Sequence, residues 1–201
     1  MAVAFDAAGT EGRSGAAQTT FDYTGLTVGV ISNGALGVLL MFDSGGVSGV
    51  AAHWDSAGAN QAMTSIGTVS TPGGRLSQAF GLVAPVAGNK TLHLNWTGAA
   101  EVYVVAVSWS GVDQTGGGTT FKNYTSQSAS TSTPSITVTS AVGDAVMGSH
   151  QDDNTITSLT GTAIWANDNT GPNIAAGASR FAGASPNVTF AMLPSKLVSA
   201  G

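Results

Sequence analysis

Along the chain, apolar side chains recur at every second position and nowhere keep helical spacing for longer than a turn, which predicts strands joined by turns. Two stretches break the alternation by being apolar on both faces. They are Ala35–Asp43 (ALGVLLMFD) and the first part of Ala100–Gln114 (AEVYVVAVSWSGVDQ). In the second, Val102, Val104 and Ala106 fall on one face, and Tyr103, Val105, Val107 and Trp109 on the other. A strand with two apolar faces has to be covered twice, so both stretches are expected at the centre of a sheet. Lys90–Thr97 (KTLHLNWT) alternates cleanly: Leu92, Leu94 and Trp96 should face a core, Thr91, His93 and Asn95 solvent.

Weaker strand patterns cover Ala2–Asp6, Thr19–Tyr23, Val47–Trp54, Gln61–Ser70, Arg75–Ala84, Ser135–Thr139, Ala145–His150, Ala163–Asn167, Asn173–Phe181 and Asn187–Leu193. Between them lie turn signals such as Ser32-Asn33-Gly34, Ser44-Gly45-Gly46, Thr71-Pro72-Gly73-Gly74, Pro85–Asn89 and Val142-Gly143-Asp144. Thr10–Gln18 and Gln151–Asn154 read as polar loops, and Ser126–Thr133 as a Ser/Thr-rich linker. The expected architecture is all-β: an antiparallel β-sandwich, jelly-roll-like, formed as a single domain over 1–201, with 194–201 as a flexible tail or truncation point.

Composition sharpens this picture. Of the 201 residues, 42% are hydrophobic and only 8% charged, against about 25% charged in an average soluble domain. Twenty-eight glycines and many Ser, Thr and Ala residues stand in their place. The six basic residues are scattered within a net charge of -5, which argues against nucleic acid as a partner. No apolar run reaches the roughly 18 residues that span a bilayer, so no membrane association is expected. There are no cysteines, hence no disulfide framework, thiol catalysis or cysteine-bound zinc. The opening MAVAFDAAGTEGR has neither the basic start nor the apolar run of a signal peptide.

The block LVAPVAG (Leu82–Gly88), KTLHLNWT (Lys90–Thr97), AEVYVVAVSWSGVDQ (Ala100–Gln114) and PSITVTSAVGDAVM (Pro134–Met147) resembles a β-sandwich module with an AVSxSGVDQ central strand. That module occurs in tailed-phage structural proteins and bacterial surface proteins. The resemblance implies a scaffold for display, adhesion or virion building. Its motifs mark strands and turns and carry over no catalytic residue.

Searching for chemistry directly gives little. There is no G-x-S-x-G nucleophile elbow and no phosphate-cradling loop. His53 reads as a strand-end residue and His93 as a solvated one. Most acids sit at turns or strand ends, among them Asp43, Asp55, Asp113 and Asp144, so paired-carboxylate hydrolysis has no support. The ion candidates are Asp152, Asp153 and Asp168, loop carboxylates of the kind that suit Ca²⁺, although Asp also favours turns for conformational reasons. Trp54 and Trp165 are the candidates for stacking on a sugar; Trp96 and Trp109 read as packing. No other cofactor is expected.

The expectation is a non-enzymatic virion structural protein of a tailed bacteriophage: a capsid decoration, head-spike or tail-associated surface protein. Its partners would be copies of itself or other virion proteins, and it would fold in the host cytoplasm and leave by lysis. The alternative is a carbohydrate-binding or adhesin module of a bacterial surface protein, with a host-surface glycan as ligand and an extracellular location.

Overall fold

The computed structural model of the protein describes residues 3–71, 75–125, 135–152, 156–167, 175–182 and 187–194. Nearly all of these lie in strands or the turns between them, as the period-two patterning requires. Contacts divide the chain into two compact units, Met1–Tyr124 and Thr125–Gly201, where the sequence pattern alone suggested a single domain. Each unit closes its own antiparallel sheets, so strand pairing stays within it.

The first unit contains β1 (Ala4–Ala8), β2 (Gly12–Arg13), β3 (Gln18–Tyr23), β4 (Thr27–Val28), β5 (Ala35–Phe42) and β6 (Ser48–Trp54). These are followed by β7 (Gln61–Ala62), β8 (Thr64–Thr71), β9 (Arg75–Val83), β10 (Gly88–Asn89), β11 (Leu92–Ala100) and β12 (Val102–Ser110). One sheet has the order β1-β12-β5-β9-β8, with β2 also on β12. A second has the order β3-β11-β6-β7. The short β10–β4 pair stands apart from both.

The two strands expected at the centre are there. β12 lies between β1 and β5, and β5 between β12 and β9. Both faces of β12 are buried, from Val102 through Trp109. Val102, Val104 and Ala106 join Leu36, Val38, Leu40 and Phe42 of β5 in one core, facing Leu92, Leu94, Trp96 and Trp54 of the second sheet. Phe42 and Trp96 meet edge to face, centroids 5.1 Å apart. On the opposite face of the first sheet, two glycines make flat seats for aromatic rings: a Cβ on Gly81 would overlap the Phe121 ring, and one on Gly67 the Tyr124 ring. The chain leaving β12 is thereby held against β9 and β8.

Local pattern also missed elements. β2 and β10 are two-residue pairings inside segments that read as loop or turn, and β4 is a third in a stretch where no element was expected. Such strands are too short for a period to show, and only their partners make them strands.

Tyr23 ends β3 in a cage of small residues. Its hydroxyl donates to the Thr10 carbonyl oxygen at 2.7 Å. A Cβ on Gly25 would lie 2.6 Å from the ring, and one on Gly12 2.7 Å from it. Burial pushes the Tyr23 phenol up from 10.0 to about 12. Burial also raises Tyr103, helped by the Glu101 charge, and raises Tyr124. These are the protein's three tyrosines. The folded chain should therefore show far less than half of its tyrosinate absorbance near 295 nm at pH 10, with the remainder appearing on unfolding in urea. Since the folded value of Tyr23 lies above the unfolded one, its neutral ring stabilises fully below pH 10, and that contribution, of order 2 kcal/mol, is lost as pH rises through about 12. Tyr23→Phe should flatten this alkaline loss.

In the second unit, β13 (Ser135–Thr139), β14 (Ala145–Asp152), β15 (Ile156–Leu159), β16 (Thr162–Asn167), β17 (Ala175–Ala182) and β18 (Asn187–Pro194) form two three-stranded sheets. Their orders are β13-β18-β15 and β14-β17-β16. The expected turn at Val142–Asp144 is present, the Asp144 amide donating to the Ala141 carbonyl at 3.1 Å. It joins strands of different sheets, however, and makes no hairpin: β13 pairs with β18 and β14 with β17. The expected linker 126–133 and the tail beyond Pro194 lie outside the described residues.

Candidate functional site

Trp54 is not a sugar platform. It is fully buried in the core, and its indole N–H donates to the Val86 carbonyl at 2.8 Å. Gln61 fastens the same turn, with Nε2 donating to Ala84 O and Oε1 accepting from Val86 N–H. In Ser48–Trp54 the residues alternating with Trp54 are mostly Gly and Ala. The sequence thus gave little contrast between the inward and outward faces, and the direction of Trp54 was not legible.

Of the ion candidates, Asp152 closes β14 opposite Ala175 on β17, so Gln151 and Asp152 belong to a strand and not to the expected polar loop. The pairing extends β14 two residues past its apolar pattern. Asp153 and Asp168 lie outside the described residues. Trp165 sits in β16 opposite Ala178, just after an irregularity in the pairing, and only its backbone is described.

The turn acids do what turn acids do. Asp43 accepts the Glu101 N–H, Asp55 the Ala59 N–H and Asp144 the Ala141 N–H, at 2.7–2.8 Å. Asp113 accepts both the N–H and the hydroxyl of Thr115, which hold its carboxyl below the usual range. Gln114 donates to the carbonyls of Gly34 and Val112, while Gly111 and Val112 donate to Ser32 and Asn33. The SGVDQ segment is therefore a corner: its polar groups tie the exit of β12 to the turn before β5.

Among the described residues of the first unit, further polar contacts include three clusters. Asp6 accepts from the Gly29 amide (2.9 Å) and the Ser108 hydroxyl (2.7 Å), joining β1 to β12 and to the segment after β4. Arg13 pairs with Glu101 and lies 5.2 Å from the Tyr103 ring centre. The third cluster crosses the outward face of the second sheet. Asp22 on β3 is opposite His93 on β11, His93 is opposite His53 on β6, and His53 is opposite Ala62 on β7. The Asp22 carboxylate and His93 Nδ1 are 2.6 Å apart.

The outward position of His93 follows from the alternation in KTLHLNWT. Its alignment with two other polar residues does not, because it depends on the register of three strands. Among the described residues, no three His, Cys, Asp or Glu side chains gather into a complete metal-ligand set. The histidine row is instead a pair of imidazoles with one carboxylate behind it.

Comparison with protein-family models, curated proteins and solved structures gives no match.

Proposed function

We propose that the protein is a non-enzymatic structural protein of a tailed-phage particle, a capsid decoration, head-spike or tail-associated surface protein that packs against copies of itself or other virion proteins. The observation that carries this reading is the SGVDQ corner. The segment with the strongest resemblance to virion and surface modules commits its polar groups to backbone contacts, as Gln114 does to Gly34 and Val112. That is the work of a scaffold.

The outward face of the second sheet adds support. Next to the histidine row it presents Thr20, Asn95 and Ala51, short side chains on paired strands that suit close lateral packing in a symmetric assembly. A low charge content has the same consequence. The adhesin alternative loses one of its two aromatic candidates with the burial of Trp54.

Density-gradient purification of particles followed by quantitative mass spectrometry tests the proposal. The chain should co-sediment in a fixed, stoichiometric copy number. A chain absent from the particles that behaves as a free monomer and binds a glycan array would replace this reading with the adhesin one.

A further inference from the structure

We infer that His53 and His93 form a two-histidine site for a divalent first-row transition ion, with Cu²⁺ the best fit, and that Asp22 positions His93 for it. The inference rests on the register of the second sheet and is independent of where the protein resides.

His93 and His53 are directly opposed on neighbouring antiparallel strands, β11 and β6. Opposed residues have Cβ atoms about 4.5–5.5 Å apart on the same face. Flanking them, Leu92, Leu94, Ala52 and Trp54 point into the core, so both imidazoles project from the other side. Two imidazoles at that spacing can share one ion, with water completing its shell.

The two rings differ in a way that suits this. His93 Nδ1 lies against the Asp22 carboxylate at 2.6 Å. A proton on Nδ1 donated there leaves the Nε2 lone pair outward, the carboxylate–histidine arrangement found behind many metal ligands. His53 Nδ1 is shielded from solvent and has no hydrogen-bond partner. A shielded ring nitrogen without a partner is costly, and the folded chain leaves this nitrogen uncommitted. A bound cation would use it, with ring orientation set by the ion.

The surroundings leave access. His53 is bordered by Ala62 across the strand pair and by Ala51 two residues away on the same face. His93 is 37% exposed. No Lys or Arg lies at the paired positions of this row, and the chain's net charge of -5 favours a cation. Imidazole nitrogens suit Cu, Zn and Ni, and among divalent ions Cu²⁺ binds most strongly in the usual order. Ca²⁺, which takes oxygen ligands, is not expected here.

The test is titration of the purified full chain with Cu²⁺, followed by calorimetry and by electron paramagnetic resonance with nitrogen couplings resolved. The wild type should bind one equivalent whose signal carries two histidine nitrogens. His93→Gln and His53→Gln should each abolish that two-nitrogen signal while circular dichroism stays that of the wild type. Asp22→Asn should keep both nitrogens and weaken binding roughly 10–100-fold, as outer-shell changes do. Absence of saturable binding, or the same binding in the His53→Gln/His93→Gln double variant, overturns the inference. Should His53→Gln fail to fold, the wild-type spectrum still decides: fewer than two histidine nitrogens on the bound ion overturns it as well.

Discussion

Trp54→Ala should lower the unfolding free energy by about 3–5 kcal/mol, the cost of truncating a large buried aromatic side chain. The side chain is fully buried where the second sheet faces β5 and β12, so its removal leaves a cavity bounded by both sheets. The same change leaves the Val86 carbonyl without the indole donor, and Val86 is already the point where Gln61 fastens the turn. Urea unfolding of the first unit should shift to a lower midpoint with an unchanged slope. Trp54→Phe should recover part of the loss by refilling the space, though not the hydrogen bond. A Trp54→Ala variant as stable as the wild type would mean that this residue does not hold the two sheets together.

Gly98→Ala should cost about 3 kcal/mol or more, unusual for adding one methyl group, because two penalties coincide. Gly98 has φ 89°, a backbone conformation that side chains disfavour. It lies within the register shift of β11 against β3, between Asn95 and Ala100, and one residue past the shift against β6, between Asn95 and Thr97. A bulge there lets the strand bend. A Cβ at this position would also overlap the Gly46 carbonyl oxygen, a backbone atom that cannot rotate away. Gly49 offers the control: its φ of 61° is likewise positive, but the nearest neighbour to an added Cβ is the Thr97 hydroxyl at 3.9 Å. Gly49→Ala should therefore lose only the conformational part, and the difference between the two melts measures the steric part.

These effects mark the boundary of what a sequence can disclose here. The β class, the central places of Ala35–Phe42 and Val102–Ser110, and the inward set Leu92, Leu94 and Trp96 were legible because side-chain direction in a strand alternates with a period of two. The turn roles of Asp55, Asp113 and Asp144 were legible for a similar reason, since each accepts from an amide within four residues; that of Asp43, which accepts from the distant Glu101 amide, was not. Trp54 was not, since the Gly and Ala residues around it blur the alternation that would have placed it inside.

The division into two units was only half legible. The Ser/Thr-rich stretch 126–133 read as a linker, yet strand patterns continue on both sides of it, and a pattern does not say which strands pair. Pairing decided the strand order β1-β12-β5-β9-β8, which brings the first and last strands of the unit together. Pairing also put Asp22, His93 and His53 in one row, with 71 residues separating the first two along the chain. Alternation is written in each residue's immediate neighbours and so survives in the sequence. Register and partner choice come from burying whole faces against one another, and a slip of one residue would scatter the row to opposite sides of the sheet.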